Sequence, residues 1–137
     1  MKQSGNKHKS EEKETKMGRI FCILTGYLCG SFLTAELVAQ ERIGKSAFEI
    51  GTGNPGMANL AEQGGVGCAF RVLAGDVGKT LLACLLCRYV CGAELGTLAA
   101  AYAGLGCILG HDYPFWHWFH GGKGVACNAA TLILIWP

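Results

Sequence analysis

A glycine-rich segment at residues 51–59 combines residue types that suit the binding of an anion. Its sequence is Gly-Thr-Gly-Asn-Pro-Gly-Met-Ala-Asn. Glycine allows positive φ and a close approach of the backbone, so that successive N–H groups can face a phosphate. Thr52, Asn54 and Asn59 add side-chain donors. A plain surface turn would explain the glycines but not three polar side chains between two apolar segments, so we predict a phosphate-binding loop.

Two nucleotide-binding motifs are approximated in this part of the chain. The loop contains Gly-x-Gly-x-x-Gly, and Asp76 follows Gly56 by twenty residues, as in dinucleotide-binding folds. We interpret that match as accidental, because the second strand of such a fold would fall in an apolar segment that carries charges. Gly78-Lys79-Thr80 resembles the end of a P-loop, but Leu73 occupies the place of its first glycine.

A second polar segment, at residues 111–124, begins with His111 and ends in Gly-Gly-Lys-Gly. Lys123 is a cation on a backbone that a ligand can approach closely. It directly precedes an apolar helix, and the start of a helix favours anions. His111 suits either proton transfer or helix capping, and the sequence leaves both open. The aromatic residues between these ends suit a membrane interface.

Asp76 and Lys79 lie three residues apart, so they can pair on one face of a helix. Arg71 belongs to the same apolar segment. A charge at the centre of a bilayer costs about 2.5–3.5 kcal/mol, which predicts an inward-facing polar site. An ion pair that only locks two helices together is an equally good interpretation of Asp76.

The elements that position these residues are predicted to be transmembrane helices. Apolar residues make up 50% of the chain and charged residues 16%, against about 25% charged in soluble domains. A bilayer core needs about 20 apolar residues in a helix. The runs at 17–39, 66–86 and 95–110 approach or meet that length, with a turn predicted at 88–94. A fourth run, 125–137, has thirteen residues.

We therefore predict an all-α fold, a polytopic integral membrane helical bundle with three full transmembrane helices and the start of a fourth. The domain at 17–137 is expected to be incomplete at its C-terminus, since thirteen residues cover only about 20 Å. Residues 1–16 hold five lysines and three glutamates, which predicts a disordered charged tail. The net charge of +2 lies in this tail, so no basic face remains for nucleic acid.

The chain contains eight cysteines, most of them within apolar runs, where cysteine packs as a small hydrophobic residue. Cys84 and Cys87 form a C-x-x-C pair, but a structural zinc site needs a second pair, and none occurs. We predict thiols buried in helices and no bound metal. A cysteine-rich metal-binding protein is the alternative.

The two polar loops, 40–65 and 111–124, are separated by two predicted spans, so both should emerge on one face of the bilayer. Arg42, Lys45 and Lys123 favour a cytoplasmic position for these loops. The lysine-rich tail, across the first span, favours the opposite orientation. Charge alone therefore leaves the orientation open.

The polar motifs occur in an order that matches a known enzyme family. They are Tyr27-x-x-Gly30-Ser31, Gly51-Thr52-Gly53-Asn54-x-Gly56-x-x-Asn59, Asp76-x-x-Lys79, and His111-x-Tyr113-Pro114 with Gly121-Gly122-Lys123-Gly124-Val125-Ala126. This set resembles the bacterial acyl-phosphate:glycerol-3-phosphate acyltransferases of the PlsY type. The resemblance runs from about Met17 to Trp136. The glycine loop and Gly-Gly-Lys-Gly are specific when found together at this spacing.

The resemblance implies a seven-helix enzyme of phospholipid biosynthesis in the cell membrane, with its active-site loops in the cytoplasm. It would transfer a fatty acyl group from acyl phosphate to the sn-1 hydroxyl of glycerol 3-phosphate. No metal, coenzyme A, acyl-carrier protein or other cofactor is implied, and the leaving phosphate would take the hydroxyl proton. The implied catalytic residues are Lys123, Ser31 and His111. The implied substrate-binding residues are Thr52, Gly53, Asn54, Gly56, Asn59, Lys79, Gly121 and Gly122.

Four positions depart from the pattern of the family. Thr52 stands where serine is usual, Ala58 where threonine is usual, and Glu62 where a substrate-binding arginine is usual. His120 occupies the place of the lysine that commonly precedes Gly-Gly-Lys-Gly. A carboxylate at Glu62 would repel glycerol 3-phosphate. A non-catalytic membrane protein that binds a phosphorylated lipid precursor is therefore the alternative function.

Overall fold

The computed structural model describes residues 2–137, and all regular secondary structure in that range is helical. The prediction of an all-α bundle is therefore confirmed. The helices are α1 (Lys2–Ser31), α2 (Thr34–Arg42), α3 (Met57–Gly64), α4 (Val66–Leu95), α5 (Leu98–Asp112) and α6 (Val125–Ile135), with a 3-10 turn at Phe115–His117. Helices α1, α4 and α5 pack together as the centre of the bundle, and α6 packs on α4 and α5.

Two of the predicted boundaries were wrong. The turn predicted at 88–94 does not form, because α4 continues to Leu95 and the chain reverses at Gly96, whose φ of 56° suits glycine. The polar side chains of this last stretch, such as Arg88 and Glu94, lie exposed on the helix surface. The run predicted as one span at 17–39 is divided between α1 and α2 by a break at residues 32–33.

The charged tail is helical where a disordered segment was predicted. Local interactions account for this, since Glu and Lys are good helix formers, Lys16 pairs with Glu12 at 3.2 Å, and the Thr15 hydroxyl donates to the Glu11 carbonyl. Residues 5–14 are exposed. The helix here is thus held by its own turns, and the domain boundary at residue 16 stays a prediction.

A helix can be long enough to cross a membrane without being apolar enough. In the part of the chain that the structure describes, one stretch, Gly5–Arg42, is long and apolar enough to cross a membrane, with a mean hydropathy of 1.6 in its best window. Helix α4 has 30 residues, about 45 Å, but it carries Arg71, Asp76 and Lys79. The interior position of the last two, described below, is how this helix accommodates its charges.

Glycines bring α1 and α5 into backbone contact. A Cβ atom at Gly26 or Gly30 would overlap the carbonyl oxygen of Ala103 or Cys107, respectively. Reciprocally, a Cβ atom at Gly110 would overlap the carbonyl oxygen of Tyr27. Small residues four apart permit such close crossings of membrane helices. This crossing fixes the end of α1 against the end of α5, where the polar residues gather.

The cysteines pack among small apolar residues, as predicted. Cys22, Cys84 and Cys87 are at most 1% exposed and form one core cluster with alanines of α4 and α5. All eight thiols are free. The abundance of cysteine, alanine and glycine therefore reflects the close packing of these helices.

Candidate functional site

The two polar loops meet at one end of the bundle, as the sequence predicted. The ring of Phe48, in the first loop, stacks on His117, in the second, with centroids 3.6 Å apart. The Trp116 indole donates to the Ser31 carbonyl at 2.6 Å, and the Tyr27 hydroxyl donates to the Tyr113 carbonyl at 2.7 Å. These bonds attach the second loop to the end of α1.

The glycine loop is organised around the buried side chain of Asn59. Its amide nitrogen lies 3.3, 3.1 and 3.0 Å from the carbonyl oxygens of Ala47, Ile50 and Asn54, which share its two hydrogens. Its side-chain oxygen accepts from the Thr52 N–H at 3.1 Å. Only 2% of Asn59 is exposed. Asn59 therefore holds the loop in shape through its side-chain amide, and its implied role toward a substrate stays a prediction.

The loop does not present the predicted row of free N–H groups. The Thr52 N–H is bound by Asn59, and the Gly53 N–H donates to the Ile50 carbonyl at 2.9 Å. The Gly56 N–H donates to the Asn54 carbonyl at 2.8 Å. The remaining donors are the Gly51 N–H, the first-turn N–H groups of α3, the exposed Thr52 side chain and the half-buried Asn54 amide. An anion bound here would thus lie at the start of α3.

Glu36 supports the same loop from α2, a role that the sequence analysis did not assign. One carboxylate oxygen accepts from the Ser46 hydroxyl at 3.0 Å and from the Ala47 N–H at 2.8 Å, and the other accepts from Gln40 at 2.6 Å. In the sequence, Glu36 is a single carboxylate near the end of an apolar run. Its position indicates that it has a polar partner but does not identify that partner.

Gly-Gly-Lys-Gly packs directly on His111. The Gly122 N–H donates to the His111 carbonyl at 3.0 Å, and a Cβ atom at Gly122 would overlap the Nε2 atom of the His111 ring. Gly121 likewise has no room for a Cβ beside the His111 carbonyl. Gly124, with φ 60°, precedes the first residue of α6. Lys123 is exposed and forms no ion pair within residues 2–137, so its ammonium is available to a ligand at the start of α6.

Asp76, Lys79 and His111 form a buried polar cluster between α4 and α5. The Lys79 ammonium lies 3.0 Å from Asp76 Oδ1 and 2.9 Å from His111 Nδ1. It also donates to the carbonyl oxygens of Gly30 and Phe32, at 3.1 and 2.7 Å. Those carbonyls belong to the last turn of α1 and to the break that follows it. The predicted pairing of Asp76 with Lys79 is confirmed, and the substrate contact that the resemblance implied for Lys79 stays a prediction.

Ser31 lies at the same end of α1 and is 2% exposed. Its hydroxyl donates to the Tyr27 carbonyl at 2.8 Å, one turn earlier in the helix. The structure therefore brings Ser31, Lys79 and His111 into one buried region. Thr52, Asn54 and Lys123 lie on the accessible side of the loops. Their roles toward a substrate stay predictions.

One group of side chains within residues 2–137 has the donor types of a metal site. Asp76, His111 and Cys127 each place a ligand atom within 4.8 Å of the others. The Lys79 ammonium, which pairs with Asp76 and is hydrogen-bonded to His111, already supplies a positive charge among these donors. A metal ion would have to displace it. The absence of a bound metal stays a prediction.

Comparison with known proteins identifies the class to which this fold and site belong. Two solved structures of PlsY, an integral membrane glycerol 3-phosphate acyltransferase, match this chain: the glycerol 3-phosphate form with a TM-score of 0.73 at 28% identity, and the lysophosphatidic acid form with 0.70 at 27%. The match covers 87% of this chain and 58% of the first structure. The chain is thus an integral membrane protein of the helical bundle class.

Sequence comparisons agree with the structural ones. The family model for glycerol-3-phosphate acyltransferase matches residues 20–137. Glycerol-3-phosphate acyltransferase 1 of Lactobacillus acidophilus is 40% identical over 117 residues, which are 85% of this chain and 56% of that protein. The Pseudomonas aeruginosa acyltransferase is 37% identical over 114 residues, covering 83% and 59%. The chain belongs to the glycerol-3-phosphate acyltransferase family, and it spans little more than half the length of these relatives.

Replacing Asn59 with alanine should destabilise the glycine loop. The buried carbonyls of Ala47, Ile50 and Asn54 would lose their shared donor, at a cost of about 2–3 kcal/mol. Hydrogen exchange of the amides at 47–54 should become faster, by about thirty-fold or more. Asn54→Ala is the matched control. Asn59 binds the backbone carbonyl of Asn54, which this substitution keeps. Unchanged exchange in Asn59→Ala would contradict the role of this side chain.

Proposed function

We propose that this chain acts in the acylation of glycerol 3-phosphate, with acyl phosphate as the donor and lysophosphatidic acid as the product. The observation that carries the proposal is the family match, together with two polar loops that meet at one end of the bundle. Both substrates carry a phosphate. Each loop offers one anion-binding helix start, with Thr52 and Asn54 beside α3 and Lys123 beside α6.

The reaction needs little covalent participation from the protein. The glycerol 3-phosphate hydroxyl attacks the acyl carbonyl carbon, the bond from that carbon to the phosphate oxygen breaks, and the departing phosphate takes the hydroxyl proton. Acyl phosphate is an activated donor, so no metal, coenzyme A or other cofactor is proposed. Lys123 holds a phosphoryl group and stabilises the charge that develops in the transition state.

The proposed location is the cell membrane, with the two loops on the cytoplasmic side. The positive-inside rule supports this for Arg42, Lys45 and Lys123, all of which are exposed. Labelling of Lys45 and Lys123 by a membrane-impermeant amine reagent in inverted vesicles tests the orientation. Labelling of these two lysines in intact cells instead would contradict it.

A second candidate function is binding without turnover. Glu62 is exposed on α3, close in sequence to the loop that would hold a phosphate, and its charge opposes an anionic acceptor. The experiment uses the purified chain in lipid nanodiscs with acyl phosphate and radiolabelled glycerol 3-phosphate. We expect lysophosphatidic acid and inorganic phosphate in equal amounts. Saturable substrate binding without product would favour the second candidate, and neither binding nor product would contradict both.

A further inference from the structure

We propose that Lys79 is a positioning residue that holds His111 as the tautomer with its proton on Nε2. His111 would then present an N–H donor to the Gly-Gly-Lys-Gly backbone and to an anion bound there. The proposal deepens the function proposed above, on which the anion part rests. The tautomer itself can be measured whether or not the chain turns over.

The bonds of Lys79 determine which nitrogen of His111 is protonated. An ammonium group has three hydrogens and no lone pair, so it only donates. The carboxylate of Asp76, 3.0 Å away, balances its charge. Asp76 Oδ1 forms an ion pair with the ammonium but no hydrogen bond. The three hydrogens are therefore available to the carbonyl oxygens of Gly30 and Phe32 and to His111 Nδ1, at 2.9 Å, and Nδ1 accepts the third. A neutral imidazole that accepts at Nδ1 carries its proton on Nε2.

The packing of the second loop determines where that proton points. Nε2 lies against Gly122, close enough that a Cβ atom there would overlap it. The Gly122 N–H in turn donates to the His111 carbonyl. The imidazole is thus held between Lys79 on one side and the backbone next to Lys123 on the other. With Nδ1 occupied, His111 donates a hydrogen bond and does not remove the proton from the acceptor hydroxyl.

The same ammonium connects His111 to the break between α1 and α2. Lys79 donates to Gly30 O and Phe32 O, at the C-terminal end of α1, where a cation is favoured. His111 is only 4% exposed and Lys79 only 8%. Without this ammonium, Asp76 Oδ1, at 3.7 Å from Nδ1, would be the nearest charged partner of His111. A carboxylate accepts, so it would favour the proton on Nδ1.

Nuclear magnetic resonance of the ring nitrogens tests the proposal. The chain, labelled with ¹⁵N-histidine in nanodiscs, contains four histidines, and a His111→Asn variant assigns the signals of His111. We expect the Nε2–H form in the wild type and in Lys79→Arg, which keeps a donor. Lys79→Met should shift His111 to the Nδ1–H form. A wild-type spectrum with Nδ1–H would overturn the proposal even if the methionine variant fails to fold, and so would an unchanged spectrum in a folded Lys79→Met.

Kinetics separate positioning from direct substrate binding once turnover is established. A positioning role predicts that Lys79→Met lowers kcat by about ten-fold or more, with KM for glycerol 3-phosphate changed by less than about three-fold. A raised KM with unchanged kcat would instead make Lys79 a ligand of the substrate and overturn the proposal. Failure of the proposed function would remove turnover in the wild type and leave the tautomer measurement intact.

Discussion

Replacing Lys123 with alanine is expected to lower kcat/KM for acyl transfer by about 10²–10³-fold, the range for the loss of one group that stabilises transition-state charge. Lys123 is exposed and precedes the first turn of α6, where helix and side chain act on an anion together. No contact within residues 2–137 is lost with the ammonium, so the free energy of unfolding should change by less than about 0.5 kcal/mol. The measurement compares steady-state kinetics with denaturation of the same preparation.

Two further variants test whether the loss of activity is specific to the ammonium group of Lys123. Lys123→Arg keeps the charge but changes its geometry, so it should retain part of the activity that alanine loses. Lys45→Ala removes an exposed lysine from the other loop on the same face, and it should leave kcat/KM almost unchanged. An equal loss in Lys45→Ala would show general electrostatic attraction of anions to this face. Full turnover in Lys123→Ala would remove Lys123 from the reaction.

The helices could be predicted from hydropathy, but their ends could not. Hydropathy records only that residues 17–39 are apolar. The carbonyls at the break at 32–33 and just before it accept hydrogen bonds from Lys79, 47 and 49 residues away in the chain. Charged residues at 88–94 suggested a turn. They lie instead on the exposed surface of α4, which continues through them to Leu95. Such boundaries depend on tertiary contacts that local composition does not contain.

The site was predictable in its location and less so in its chemistry. An even number of spans places both loops on one face, and the stacking of Phe48 on His117 confirms it. The residue types identified Asn59 and Lys79 as polar and important. The partners of these two side chains could not be predicted. A side-chain amide or ammonium can bind a ligand or a backbone carbonyl, and the sequence does not show which carbonyls lie nearby. In the structure both side chains bind protein groups, and their roles toward a substrate stay predictions.

The roles of the glycines were also difficult to predict from the sequence. Those of the loops attracted attention as ligand-approaching residues, whereas Gly26, Gly106 and Gly110 are distributed through apolar runs without a visible role. The structure places them where α1 and α5 touch through their backbones. Gly78, also in an apolar helix, has nothing within 4 Å of a Cβ atom. Sequence alone does not distinguish a glycine at a helix crossing from one facing open space.

Replacing Gly110 with alanine is therefore expected to destabilise the bundle by about 2 kcal/mol or more, despite the higher helix propensity of alanine. The new methyl group would overlap the Tyr27 carbonyl oxygen and lie 2.8 Å from the backbone nitrogen of Ser31. Both neighbours are helix backbone and cannot rotate away, so α1 and α5 must separate. Reversible unfolding in mixed detergent measures the loss.

Gly78→Ala is the matched control, since it is the same substitution in α4 without a neighbour. It should leave stability unchanged or raise it by up to about 1 kcal/mol. Because His111 follows Gly110 directly, separation of α1 from α5 should also move the imidazole away from Lys79. Gly110→Ala should then weaken the preference of His111 for the Nε2–H form, and Gly78→Ala should not. Equal stabilities for the two variants would show that the close crossing of α1 and α5 does not hold this end of the bundle together.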